Sequence, residues 1–206
     1  SGYKLHATVT DNQDVIEKIN NAKLKVLLSA STLDKTKIKS LVSSLKNCDV
    51  ILMIGHQSFP TKISEVHLNM IDLFKIEFPN CDIGLQDHID GEDRLSYVVP
   101  FMAYAKGSKW IEKHVNLNRA EKKTDYYSSL NPDEFTKFVK DLKMSSLTLG
   151  KDDFTLTDDQ KNYLQKSKQF AVFNRDIKKG EMLKLSDISF KRTSTPGIER
   201  LNIEKY

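Results

Sequence analysis

The stretch WIEKHVNLNRAEKKTDYYSSLNPDEF, residues 110–135, decides how this chain is read. It opens as a short strand over 110–115, along which side chains alternate between two faces. Glu112 and His114 therefore share one face, and Lys113 lies on the other. The stretch closes on a helix start, with Asn131 as N-cap, Pro132 at the first helical position and Glu134 reaching back from the third. Between them runs a charged loop, 116–129, with Asp125-Tyr126-Tyr127 near its end. A strand that leaves through a histidine into a polar loop has the pattern of the active-site edge of an α/β protein. In such folds chemistry gathers at the carboxyl ends of parallel strands. The plainer alternative is an ordinary strand with a solvated histidine at its tip.

Outward from this stretch, the chain alternates between two periodicities. Strands are expected over 3–9, 25–29, 50–54 and 82–85. The runs KVLLS and VILMI are nearly all apolar, as strands covered on both faces should be. Helices are expected from 14, over 31–45, 66–78 and 94–105 (with Pro100 as a distortion), and from 131 to 144. Five strands spaced by roughly 30 residues match the size of βαβ units. This is an α/β chain with parallel strands, in either an open doubly wound sheet or a (β/α) barrel. No glycine-rich fingerprint follows any strand, so dinucleotide binding has little support. A closed eightfold barrel needs about 250 residues. The α/β part is shorter, which leaves an open sheet or a barrel whose earlier portion lies upstream.

After residue 144 the pattern breaks. Gly150-Lys151-Asp152-Asp153 reads as a linker, and Thr157 with Gln160 forms a capping box for a short polar helix. From Phe170 onward, apolar residues fall at strand spacing around a Lys178-Lys179-Gly180 turn. The expected organisation is an α/β domain over 1–145, a linker over 146–168 and a small β-rich module over 169–206.

Composition narrows the function. The 206 residues carry 32 basic and 28 acidic side chains, well mixed, for a net charge of +4. That is no nucleic-acid footprint. A hydrophobic content of 39% supports a real core. Cys48 and Cys81 make neither a disulfide framework nor a ligand pair at CxxC spacing. With no signal peptide and no apolar run long enough for a bilayer, a cytoplasmic protein without a membrane partner is expected.

Of the five histidines, His6, His56, His88 and His114 all fall at or just after a strand exit, and His67 falls on a helix. Neighbouring strands lie about 4.8 Å apart, so imidazoles from adjacent exits can meet on one divalent cation at roughly 2.0–2.1 Å each. Two histidines with few carboxylates leave positions open for water or substrate, as a catalytic ion requires.

The runs IGLQDH (83–88), IEKH (111–114) and DYYSSLNPDEF (125–135) resemble the sialic acid synthase family. Its members condense phosphoenolpyruvate with an N-acylated mannosamine-type sugar to make nonulosonic acids. YKLHA at the start, LLSA at 27–30 and SFPT at 58–61 fall in the family's order. IKKGEMLKLSDISFKR resembles the opening of the family's antifreeze-like (SAF) domain. The resemblance covers nearly the whole chain. It implies the later part of a TIM barrel, about five βα units beginning near the fourth strand, followed by a linker and an incomplete SAF-like domain.

Carried over residue by residue, the resemblance makes His88 and His114 the ligands of a divalent metal, manganese first, with magnesium or cobalt as alternatives. Lys4 is the cation that binds phosphoenolpyruvate, and Ser29 a hydroxyl donor to the same ligand. Asp125 holds sugar hydroxyls. Arg192 reaches the N-acyl group in the partner subunit's site, which implies a domain-swapped homodimer.

The departures from the family fall on the sugar wall. Ala7 and Val9 stand where serine and glutamate are usual, Gln57 and Phe59 where asparagine and tyrosine are, and Gln86 where a serine precedes Asp-His. Each lost hydrogen bond removes roughly 0.5–1.5 kcal/mol. Gln57, Phe59 and Gln86 are therefore expected to contact an altered substrate, with His6 and His56 as replacement sugar contacts. A relative that binds sugar or metal without turnover is the alternative.

Overall fold

A computed structural model describes residues 1–55, 58–200 and 202. The chain divides into two compact units, residues 1–150 and 151–206. In the first, six parallel strands pair in the order of the sequence: β1 (Gly2–Leu5), β2 (Lys25–Ser29), β3 (Val50–Ile54), β4 (Asp82–Asp87), β5 (Trp110–Val115) and β6 (Ser129–Leu130). Sequential parallel order requires a crossover after each strand, and helices supply most of them. They are α1 (Gln13–Ala22), α2 (Lys35–Ser44), α3 (Met70–Glu77) and α4 (Leu95–Ala105), with α5 (Pro132–Ser146) following β6.

Local chemistry sets the helix ends. Asn12 accepts the Val15 N–H to start α1, and Asp34 accepts the Lys37 N–H to start α2. Pro132 opens α5, where Glu134 accepts the Asn131 N–H at 2.7 Å. Alternation along the strands then divides the sheet's two faces. Val26, Leu28, Val50, Leu52, Ile54, Ile83 and Leu85 point to the helices and bury against Ile16, Ile19, Ile38, Leu41, Ile71, Phe74 and Val99. This is the core, and burying each such side chain stabilises by roughly 1.5–3 kcal/mol before entropy is counted.

The opposite face is polar at its carboxyl end, and its contacts reveal the curvature. Lys4 of β1 pairs with Glu112 of β5. On a flat sheet four strand spacings would separate them by about 19 Å, beyond the reach of both side chains. Ser29 of β2 likewise donates to Gln86 Oε1 of β4 at 2.9 Å, passing over β3. The sheet is rolled into a half-barrel with these residues inside. Gly84 makes room lower down: a Cβ there would lie 2.3 Å from Met53 Sδ and 2.9 Å from Trp110 Cβ.

Four local expectations are corrected. The first strand ends at Leu5, because the His6 side chain accepts the Thr8 N–H and turns Ala7–Val9 into a 3-10 helix. β4 continues through Asp87, so Gln86 and Asp87 belong to the strand. The helix expected over 66–78 begins only at Met70, after His67 adopts φ 49°. The loop expected over 116–129 ends in a sixth strand, β6, only two residues long.

In the second unit, α6 (Asp158–Ser167) carries the expected capping box, with the Gln160 N–H donating to Thr157 Oγ1 at 3.2 Å and the Thr157 N–H to Gln160 Oε1 at 2.7 Å. β7 (Phe170–Phe173) and β8 (Ile188–Lys191) pair antiparallel. Arg175 clasps Asp187 with two hydrogen bonds, 2.8 and 3.0 Å, and holds that carboxyl below the usual range. Among the described residues, no helix is long and apolar enough to cross a membrane.

Candidate active site

At the carboxyl ends of the strands, Lys4, His6, Phe59, Gln86, His88, Glu112 and His114 line one cavity of about 430 Å³. They come from β1, β4, β5, their exits and the loop after β3. The inward rows of the strands therefore converge, as expected for a rolled parallel sheet.

The two strand-exit histidines lie side by side, ring centroids 5.0 Å apart. His88 Nδ1 and His114 Nε2 are buried and have no hydrogen-bond partner within the protein. A buried ring nitrogen without a partner is costly, and a metal ion is one group that satisfies it. Two imidazoles bound at about 2.0–2.1 Å to a shared ion would set their centroids about 5 Å apart, so the pair fits a divalent cation. Among the described residues no third histidine, cysteine or carboxylate joins them in a ligand cluster. Water or substrate would fill the remaining positions.

Burial, with the neighbouring His114 adding to it, lowers the His88 pKa to about 4. His88 is therefore neutral in the folded protein at neutral pH and keeps its lone pair for a ligand. The same shift makes stability depend on pH. The unfolded chain takes up a proton near the ordinary 6.5, and the folded chain does so only near 4. The contribution is thus complete above pH 6.5 and declines as pH falls toward 4. Urea unfolding at pH 7 and pH 4.5 should show a loss on the order of 2 kcal/mol, with water in the cavity screening part of the full effect. In His88→Gln this part of the profile should flatten.

Two loops frame the pair by holding one atom. The His88 carbonyl oxygen accepts the Thr61 N–H at 2.8 Å and the buried Ser128 hydroxyl at 2.7 Å. The first bond brings in the 58–61 loop and sets Phe59 edge-on to both imidazoles, with centroids 4.6 Å from His88 and 5.6 Å from His114. Phe59 gives the mouth of the cavity an apolar wall. The second bond fixes the loop that carries Asp125, whose Oδ2 lies 3.7 Å from His114 Nδ1 and whose backbone is left-handed at φ 58°.

Arg119 clips that loop. Its guanidinium donates to Ser129 O at 2.9 Å and forks onto Glu134 at 2.7 and 3.1 Å. Gly91 packs against the same place, donating to Tyr127 O at 2.6 Å. A Cβ on Gly91 would lie 2.0 Å from Ser129 O, so Gly91→Ala must push the Asp125 loop aside. A cost of about 1–3 kcal/mol is expected in chemical denaturation.

Of the residues singled out in the sequence, Lys4, Phe59, Gln86, His88 and His114 meet in the cavity. Ser29 is buried behind Gln86 and bonded to it, and Asp125 stands beside His114. His6 also lines the cavity. Gln57 and His56 lie outside the described residues. Arg192 is exposed immediately after β8 in the second unit. Glu112 was missed as a site residue, although strand alternation placed it on the same face as His114. Its partner Lys4 is 108 residues away in the chain.

A rolled, sequentially ordered parallel sheet with paired histidines at its carboxyl edge defines a protein of the (β/α)-barrel type. Residues 1–154 match the NeuB family, and the chain belongs to it. It is 32% identical to an uncharacterized protein of Methanocaldococcus jannaschii over 90% of this chain and 54% of that one. It is 30% identical to a pseudaminic acid synthase of Campylobacter jejuni over 93% of this chain and 55% of the relative. The chain thus spans about half the length of the curated relatives it matches. Among solved structures, an N-acetylneuraminic acid (sialic acid) synthetase from Leptospira borgpetersenii in complex with citrate superposes with a TM-score of 0.69. That match has 25% identity and covers 79% of this chain and 55% of the other.

Proposed function

We propose that this chain is the greater part of a nonulosonic acid synthase, which joins phosphoenolpyruvate to an N-acylated mannosamine-type sugar and releases phosphate. The observation that carries the proposal is the pair of unpartnered imidazole nitrogens in a cavity that also holds a lysine, in a chain of this family. In the reaction, carbon 3 of phosphoenolpyruvate bonds to the aldehyde carbon of the open sugar. Water adds at carbon 2, and phosphate leaves with cleavage of the carbon–oxygen bond.

His88 and His114 would hold the divalent cation, manganese before magnesium or cobalt, and the bound ion would supply Lewis-acid polarisation of the sugar aldehyde. Lys4 supplies a compact positive charge for the phosphate or carboxylate of phosphoenolpyruvate. In the free protein it is held by Glu112, so ligand binding exchanges one anion for another. Ser29 is assigned as a hydroxyl donor to the same ligand; in the free protein its hydroxyl donates to Gln86, which lines the cavity. Asp125, whose carboxylate lies 3.7 Å from His114 Nδ1, is assigned to accept hydrogen bonds from sugar hydroxyls. Phe59 replaces a polar wall with an apolar edge, favouring a less hydroxylated sugar than plain N-acetylmannosamine. Gln57 is assigned to the same wall from the sequence. Residues 169–206 are read as the start of an SAF-like domain whose Arg192 serves the site of a second copy in a swapped homodimer.

The test is phosphate release by the full-length protein with phosphoenolpyruvate, Mn²⁺ and a panel of N-acyl hexosamines that includes deoxy members. Release with at least one sugar, dependent on Mn²⁺, supports the proposal. Silence across the panel with Mn²⁺ still bound would turn the reading to a relative that binds without turnover.

A further inference from the structure

The helix-facing side of β4 and β5 holds a pair of charges that the chemistry above does not use. The side chains of Asp87 and Lys113 are each 1% exposed and meet at 2.6 Å. They are register partners on the last rung of the β4–β5 ladder, each one residue before His88 or His114. Side chains alternate, so each outward charge is followed at once by an inward imidazole. Further contacts fix the pair. Lys113 Nζ donates to Ser96 O of α4 at 3.1 Å and sits 5.8 Å from the Phe138 ring centroid of α5. Asp87 Oδ1 accepts the Ile89 N–H at 3.0 Å, just beyond His88.

An ion pair this buried is a poor device for stability. Desolvating two charges offsets most of their attraction, and apolar replacement of both partners is often neutral or stabilising. What a buried pair can supply is register. A shift of one residue between β4 and β5 would turn every inward group outward and separate the histidines. We infer that Asp87 and Lys113 are positioning residues that set the spacing of His88 and His114 from behind the sheet. The inference rests on the proposed metal site for its consequence, but the spacing itself is a property of the protein alone.

The test compares the full-length parent with the double variant Asp87→Leu/Lys113→Met, which removes both charges and puts apolar side chains of similar shape in their place. Three quantities are measured: the melting temperature, the distance between the two rings in crystals grown without metal, and Mn²⁺ affinity from the electron paramagnetic resonance of the free ion. The double variant should melt within a few degrees of the parent or above it. Its rings should leave the 5.0 Å spacing, and its Mn²⁺ affinity should fall about 10–100-fold, the usual effect of losing groups that orient metal ligands. A double variant that keeps both the spacing and the parent's affinity overturns the inference. So does one that melts far below the parent with its rings in place, because the pair would then be a stabilising element only. If the parent itself binds no Mn²⁺, the metal reading of the site falls, and ring spacing alone decides whether the pair positions the histidines.

Discussion

Replacing either strand-exit histidine with alanine, His88→Ala or His114→Ala, should cut phosphate release by roughly 10²–10³-fold. Lewis-acid stabilisation at such a centre supplies several kcal/mol, and each 1.36 kcal/mol is a factor of ten in rate. The remaining imidazole cannot compensate, because among the described residues no third histidine, cysteine or carboxylate joins the pair. Mn²⁺ binding should fall with activity, and the fold should persist, since each substitution removes a ring nitrogen that has no partner within the protein. Equilibrium titration with Mn²⁺ beside the phosphate assay checks both. Either variant keeping full activity would remove the paired imidazoles from the mechanism.

A second large effect is expected from Lys113→Met alone. It leaves the Asp87 carboxylate 1% exposed without its counter-ion. Burial already pushes the Asp87 carboxyl up, and Lys113 is the main force opposing that push. Breaking a buried pair on one side costs about 3–5 kcal/mol, which urea unfolding at pH 7 would register as a large drop in midpoint. Adding Asp87→Leu to the same protein should recover most of the loss. A single variant as stable as the parent would mean that water reaches Asp87 and that the rung is not closed.

What could be read from the sequence follows from how local each feature is. β2, β3 and β5 have the bounds expected of them; nearly unbroken apolar runs announce the first two as buried parallel strands, and alternation between two faces marks the third. The start of α5 was equally legible from Asn131, Pro132 and Glu134. β6 was not, since two residues carry no period. The end of β1 depends on the His6 side chain choosing a backbone N–H two residues on, and the delayed start of α3 on one left-handed residue, His67. In the site, His88 and His114 announced themselves by position at the strand ends and by the motifs around them. Glu112 and the Ser29–Gln86 bond did not, because both contacts cross the half-barrel between strands that are not neighbours. The rolling of the sheet creates those contacts, and no short window of sequence encodes it.

The single carbonyl oxygen of His88, gripped by Thr61 from one side and Ser128 from the other, matters to anyone reshaping this cavity. The two segments it tethers are not separate dials. A change that shifts the 58–61 turn tugs on the same atom that steadies the turn bearing Asp125, so gains found in one by screening should fail to add to gains found in the other. Libraries that randomise both turns together would reach combinations that stepwise optimisation misses.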